Sequence, residues 1–308
     1  MSTSQLRMSS PREGLANFRQ HPNENRLTAL QLLDWAVPRT HFDDRVMLPT
    51  ANSIRRTLLP IFRHVVEART CWRAESVGFW KVESERYWMP RLTFQRDPKE
   101  EPSIKLAIFA GIHGDEPAGV QAIGDLVLAL DGLPMMARQY LIHVYPLCNP
   151  TGYEDGTRHS RSGKDLNREF WKGSTEPEVR LLETQILRER YDGLISLHSD
   201  FETEGLYGFV RGATLAAHLL KPALAAAEAA LPVNRAAMID GFHAVEGIIH
   251  SAYDGILSAP PSAKPAPFEI ILESPTHSPN QLQRAAFVLA LVEIIRHYRR
   301  LIAYAADL

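Results

Sequence analysis

The chain has 308 residues, 45% of them hydrophobic and 23% charged, with a net charge of −2 and two cysteines. That length and apolar content suffice for a large α/β domain with a sizeable core. The near-neutral charge gives no electrostatic case for nucleic acid or an anionic membrane as partner, and Cys71 and Cys148 cannot make a disulfide framework. No apolar run approaches membrane-spanning length. Met1–Gly14 also lacks the apolar stretch of a signal peptide, so a cytoplasmic protein is the expectation.

In chain order, residues 1–25 are polar and Pro-containing and are expected to be loosely held. Residues 26–308 read as a single domain without repeat or linker. Leu27–Val37 reads as a helix closed by Pro38. Ser53–Ala68 sets Ile54, Leu58, Ile61, Phe62 and Val65 at helical spacing behind a Ser53 cap, with Pro60 expected to divide it. Ser76–Gln95, rich in Phe, Trp and Tyr, reads as antiparallel strands. Leu106–Ala110 is a short apolar run, hence a buried strand. Pro117 then opens a helix whose apolar face is expected to carry Val120, Ile123, Val127, Leu128 and Leu130. Gln139–Leu147 is a strand, ended by the turn chemistry of Asn149-Pro-Thr-Gly152. Thr151–Gly173 is a long, polar, Gly-rich excursion, a length that in a compact domain points to function. Ser174–Arg190 has the acid-first, base-last order of a helix. Tyr191–His198 and Leu206–Val210 read as strands, and Thr214–Ala230 as an Ala/Leu helix stopped by Pro232. Asn234–Pro267 reads as irregular. Phe268–Leu272 is a last strand leading to Glu273, and a helix runs from Pro279 past Tyr298 behind a Ser278 cap. Strands alternating with helices give an α/β class, with a mixed, mostly parallel twisted sheet flanked by helices.

The pattern His-x-x-Glu occurs at His21/Glu24, His64/Glu67, His113/Glu116 and His243/Glu246, so the spacing alone decides nothing. His113 and Glu116 differ from the other pairs in lying where an apolar strand hands over to a helix. In an open α/β sheet, such strand ends border the ligand crevice. Asn149, His198 and Glu273 likewise follow apolar strand-like segments at their carboxyl ends. If those strands run parallel, these residues gather along one edge of the sheet. Two histidines and a carboxylate are a ligand set for a hydrolytic zinc. A second carboxylate outside the set can then act as base toward water.

The resemblance to a known family rests on an ordered series of motifs. His113-x-x-Glu116, Asn149-Pro-Thr-Gly152, Gly156-Thr-Arg158, Asp165-Leu-Asn-Arg168, Ser196-Leu-His198 and Leu272-Glu-Ser-Pro275 follow one another as in the zinc carboxypeptidase family. Over residues 104–300 the chain resembles the family's compact bacterial members, the branch near succinylglutamate desuccinylases, aspartoacylases and murein-peptide amidases. The resemblance implies a zinc carboxypeptidase-like fold and one zinc ion held by His113, Glu116 and His198. It implies Arg158 as the group that polarises the scissile carbonyl, and Asn167 and Arg168 as holders of the substrate's free carboxylate. Glu273 is implied as general base and proton shuttle. The implied activity is hydrolysis of an amide beside a free carboxylate, in a small peptide or in an N-acyl amino acid. A non-catalytic binder of metal or peptide on the same fold is the reading from another class, and the intact residue set argues against it.

Three features bear on the substrate. The lid Tyr of the family's peptidases falls here on Phe242, with Tyr253 nearby. Ile248 and Ile249 occupy the region that lines the side-chain pocket in similar enzymes, and they favour apolar groups. Arg161, Lys164 and Arg211 would add positive charge near the mouth and favour an acidic substrate.

Overall fold

The computed structural model describes residues 53–67 and 71–305. The expected helix at 27–37, and the entry segment 1–25 with its His21/Glu24 pair, lie outside them. The first described helix, Ile54–Glu67 (α1), runs through Pro60 rather than breaking there. Its apolar residues Ile54, Leu58, Ile61, Phe62 and Val65 are all buried, and this continuous face outweighs the single backbone bond that a proline removes.

Strands Trp72–Val82 (β1) and Glu85–Phe94 (β2) form the expected antiparallel hairpin. The core of the fold follows. Ile104–Ala110 (β3) leads through helix Pro117–Gly132 (α2) to Tyr140–Tyr145 (β4), parallel to β3. The Gly-rich excursion holds a short helix, Pro150–Asp155 (α3), and a 3-10 turn at Leu166–Arg168. Helix Pro177–Glu189 (α4) then leads to Gly193–Asp200 (β5) and Tyr207–Val210 (β6). The expected Ala/Leu helix is interrupted: a π turn at Ala216–Leu220 precedes helix Lys221–Ala227 (α5). The stretch expected to be irregular contains Met238–Ile239 (β7), Phe242–Val245 (β8) and Ile248–Ile249 (β9). Strands of two to four residues are too short for an alternating pattern to declare them. Phe268–Pro275 (β10) and helix Asn280–Ala305 (α6) complete the chain.

All ten strands share one sheet, in the order β1-β2-β4-β3-β5-β10-β6-β9-β8-β7. The four central strands, β4, β3, β5 and β10, run parallel, while both flanks are built largely from antiparallel pairs. Central strands buried on both faces favour apolar residues, which is why β3 reads as an apolar run from Leu106 to Ala110 and β5 begins as one at Leu194–Ile195. Among the described residues, no helix is long and apolar enough to cross a membrane.

On one face, a buried polar cluster joins the sheet to α4. Arg91 donates to Glu75 at 2.9 Å, to Gln185 at 2.9 Å and to Glu189 at 3.2 Å. Close by, His143 shares a 2.8 Å hydrogen bond with the Tyr191 hydroxyl. Burial, and then the Arg91 charge, push the His143 imidazole down to about 3. Its folded value therefore lies below the ordinary 6.5, so the unfolded chain takes up this proton first as pH falls. Stability from neutral His143 is present above about pH 6.5 and drains away toward pH 3, by on the order of 1 kcal/mol per pH unit. Denaturant titrations at pH 7 and pH 5 are expected to show a smaller loss in His143→Gln than in wild type. Equal losses in both proteins would contradict this account.

Candidate active site

The strand register builds the site. β3 lies between β4 and β5, so the chain moves to one side of β3 through α2 and later returns on the other. Strand order reverses there, which is where α/β sheets open a crevice at their carboxyl ends. The parallel pairing of β5 with β10 sets His198 beside Glu273, and Ala110 at the end of β3 pairs with Leu197. The turn after β3, carrying His113 and Glu116, is thereby brought up against His198.

That turn is held from behind. Gly114 packs so tightly on α3 that a Cβ would come within 1.9 Å of the Gly152 carbonyl carbon, and glycine alone avoids the clash. Asn149 is 0% exposed: its side chain caps α3 by accepting the Gly152 N–H at 2.9 Å. Its amide donates to the carbonyls of Ile112 at 3.3 Å and Arg158 at 3.4 Å. Expected at the crevice as a strand-end residue, Asn149 is instead a buried brace between the His113 turn and the Arg158 segment.

His113, Glu116 and His198 are each only 3% exposed. Glu116 Oε1 lies 2.6 Å from His113 Nδ1, and its Oε2 lies 3.1 Å from His198 Nδ1 while accepting the Ser199 N–H at 3.0 Å. The two Nδ1 atoms are 3.2 Å apart, so both imidazoles present the same nitrogen toward one point. Zinc bonds of about 2.0–2.1 Å in a tetrahedron would separate neighbouring nitrogen donors by roughly 3.3–3.4 Å, close to this spacing. One donor atom from each residue falls within 4.8 Å of the others. Two imidazoles and one carboxylate in this arrangement fit a zinc ion.

The charges support the same reading. Burial works against an anion at Glu116, yet the His113 and His198 imidazoles bring its pKa to about 2. At His198 burial wins and lowers the imidazole, whereas at His113 it is outweighed by Glu116 and Asp165, which raise it. Asp165 is a residue the sequence reading did not single out. Its Oδ1 lies 3.3 Å from His113 Nε2, and its Oδ2 accepts from Arg158 Nε at 3.1 Å. Despite partial burial, these two neighbours hold its carboxyl well below the usual range. A carboxylate on the outer nitrogen is the usual means of orienting a metal-ligating imidazole. Its signal was present in Asp165-Leu-Asn-Arg168, but a carboxylate that orients another side chain leaves no periodicity to read.

The cleft that opens over this group has a volume of about 300 Å³ and is lined by Arg158, Asn167, Arg168 and Glu273 among others. Arg158 Nη1 lies 3.7 Å from Glu116 Oε1, with its side chain 41% exposed. Glu273 carries a carboxyl pushed well above its ordinary value by burial and by the charges of Glu116, Asp200 and Asp240, with Arg158 opposing. Asn167 Oδ1 accepts the Leu257 N–H at 2.8 Å. Arg168 Nη1 donates to the Asn167 carbonyl at 2.8 Å. Among the described residues no carboxylate forms a salt bridge with Arg168; Asp165 serves Arg158 and His113, and Glu169 pairs with Lys164.

Several expectations about the mouth are corrected. Ile248 and Ile249 are buried in β9, and the apolar wall of the cleft is made by Phe209, Ile256 and Ile271. Arg161 donates to Asp155 and to the Tyr87 hydroxyl, and Lys164 pairs with Glu169. Arg211 lines a separate small cavity with Glu269. The cleft walls carry Asp200, Glu202 and Asp240 instead. Tyr253, rather than Phe242, faces the cleft. Of the other His-x-x-Glu pairs, His64 pairs with Asp131 at 2.7 Å and His243 lies exposed on β8.

Comparison with known proteins bears on this geometry. Residues 102–241 match the model of the succinylglutamate desuccinylase/aspartoacylase catalytic domain. Over this segment the chain is similar to that catalytic domain. The segment carries His113, Glu116, Arg158, Asn167, Arg168 and His198, while Glu273 and Tyr253 lie beyond the matched residues. No curated protein matches the sequence. Among solved structures, a candidate metallopeptidase from Shewanella denitrificans OS217 is similar with a TM-score of 0.66 and 22% identity, covering 80% of this chain and 90% of its own. A second, from Shewanella amazonensis SB2B, gives 0.64 and 22%, covering 78% and 90%. A metallo-carboxypeptidase from Burkholderia cenocepacia gives 0.61 and 18%, covering 80% and 68%. At these identities the likeness is one of fold.

Proposed function

We propose that this protein is a zinc-dependent hydrolase that cleaves an amide bond next to a free carboxylate, acting on small peptides. One observation carries the reading: a single cleft holds the His113–Glu116–His198 donor group, the Glu273 carboxylate beside it, and an arginine, Arg168, with no acidic partner among the described residues. Zinc held by His113, Glu116 and His198 would supply Lewis-acid polarisation of the scissile carbonyl and activation of water. Glu273 takes the proton from water and returns it to the leaving amine. Its raised proton affinity, caused by burial and neighbouring carboxylates, suits a group that must hold a proton between two steps. Arg158 stabilises the oxyanion as negative charge develops. Arg168, with Asn167 beside it, grips the terminal carboxylate through its planar fork.

The family match also favours an N-acyl amino acid, on which the same residues would do the same chemistry. The charges around the cleft favour a substrate with a single carboxylate. Asp200, Glu202 and Asp240 would repel a second one; of the three cations expected near the mouth, Arg161 and Lys164 pair with acids elsewhere and Arg211 lines a different cavity. Turnover on a panel of short peptides and N-acyl amino acids, with zinc analysis, tests the reading. A zinc-bearing protein that turned over none of them would support the non-catalytic binder.

Arg168→Met is the sharper test. Losing a charge-assisted bidentate contact is expected to lower kcat/KM about tenfold to hundredfold on the best free-acid substrate. The same substrate with its carboxylate amidated should be poor for wild type and lose little more in the variant. Equal proportional losses on acid and amide would mean that Arg168 supports the fold.

A further inference from the structure

The loop carrying Tyr253 is fastened to residues on either side of Arg168. Asn167 Oδ1 accepts the Leu257 N–H, the Phe170 N–H donates to the Gly255 carbonyl at 3.1 Å, and the Trp171 indole donates to the Ser258 carbonyl at 2.9 Å. Gly255, at φ +72°, approaches so closely that a Cβ would stand 2.6 Å from the Arg168 carbonyl oxygen. On this mount the Tyr253 ring lies under the guanidinium, with Arg168 Cζ 4.7 Å from the ring centroid. The Tyr253 hydroxyl donates to Asp240 Oδ2 at 2.7 Å, and the Phe242 ring meets the Tyr253 ring edge-on at 4.9 Å.

We propose that Tyr253, anchored by Asp240, is the positioning residue for Arg168. This inference rests on the reading of Arg168 as the carboxylate grip. An arginine without an acidic partner has many rotamers available, and most of them would not present its fork to the substrate. The ring face restrains the guanidinium plane by cation–π attraction, and the Asn167 carbonyl engages one of its five N–H donors. The other edge is left to receive two carboxylate oxygens. The Asp240 bond fixes the ring itself from the β7–β8 hairpin. The arrangement makes binding of the free carboxylate depend on a residue outside the matched family segment, on a loop of its own.

The experiment compares steady-state kinetics on the best free-acid substrate of the panel and on its C-terminal amide. Wild type, Tyr253→Phe, Tyr253→Leu, Arg168→Met and the Tyr253→Leu/Arg168→Met double variant are measured, with thermal unfolding confirming the fold of each. Tyr253→Leu is expected to raise KM for the free acid about tenfold with kcat changed less than about threefold, and to leave the amide almost unaffected. Tyr253→Phe, which keeps the ring but loses the Asp240 anchor, should raise KM for the free acid by less than Tyr253→Leu does, again with the amide almost unaffected. In the Arg168→Met background, Tyr253→Leu should add nothing. An additive loss in the double variant, equal losses on acid and amide, or a Tyr253→Phe defect as large as that of Tyr253→Leu would each overturn the proposal. If Arg168→Met discriminates acid from amide but Tyr253→Leu does not, this inference alone fails. If Arg168→Met shows no discrimination, the carboxylate reading fails and takes the inference with it.

Discussion

His198→Ala is expected to strip the protein of zinc and of activity while leaving it folded. His198 supplies one of three candidate donors, and the other two cannot close a stable coordination shell with water alone. Wild type should carry about one zinc per chain after gel filtration, and the variant less than about a tenth of that. His113→Ala should behave alike, with Asp165 left facing an empty place where it now meets the imidazole at 3.3 Å. The fold should survive because the sheet beneath the site is held by its own apolar side chains and by the Asn149 brace, neither of which depends on the His113 or His198 imidazole. A chelator should reproduce the loss in wild type, and added zinc should reverse it. His243→Ala is the control, since this exposed residue belongs to a His-x-x-Glu pair that the fold keeps away from the cleft. Zinc content by elemental analysis decides the matter: if His113→Ala and His198→Ala both match wild type, the assignment of the ligands is wrong.

Much of this site could be read before the fold was known because its residues end strands. An apolar run such as Leu106–Ala110 announces a buried strand, and position within a parallel sheet then follows from the order of elements. His113, Glu116, His198 and Glu273 were therefore visible as a group. The residues that escaped notice are those whose roles depend on contacts across the chain. Asp165 meets His113 from 52 positions away, and its local motif carries no sign of that partner. Asn149 was placed correctly in the turn after a strand but assigned to the crevice, because a capping side chain and a cleft side chain look alike in a turn sequence. Two of the cations expected at the mouth were misplaced for a similar reason. Arg161 and Lys164 lie next to acids of their own segment, and a short-range partner claims a flexible charge before a distant substrate can. The β7–β9 meander was illegible because it rests on a small cluster formed with Tyr207 and Phe209 of β6, not on a pattern of its own.

Glu273→Gln is expected to keep zinc and fold yet lose most turnover. In β10 the residue stands directly beside His198, which gives it access to a water near the metal group without being one of the donors. Gln occupies the same space and removes the base. Withdrawing a general base commonly costs on the order of 10²- to 10⁴-fold in rate, and more where the same group also delivers the proton to the leaving amine. KM should change little, because the residues proposed to grip the carboxylate, Arg168 and Asn167, are separate side chains of the cleft that the substitution leaves in place. The substitution also removes a charge that sits unfavourably among Glu116, Asp200 and Asp240. Relieving that repulsion should make the variant at least as stable as wild type above neutral pH, where the native group is most forced to ionise. Lower activity together with equal or higher stability separates a chemical role from a structural one. Near-normal kcat in Glu273→Gln would move the base elsewhere in the cleft, and a parallel loss of kcat and stability would make Glu273 a support of the sheet edge.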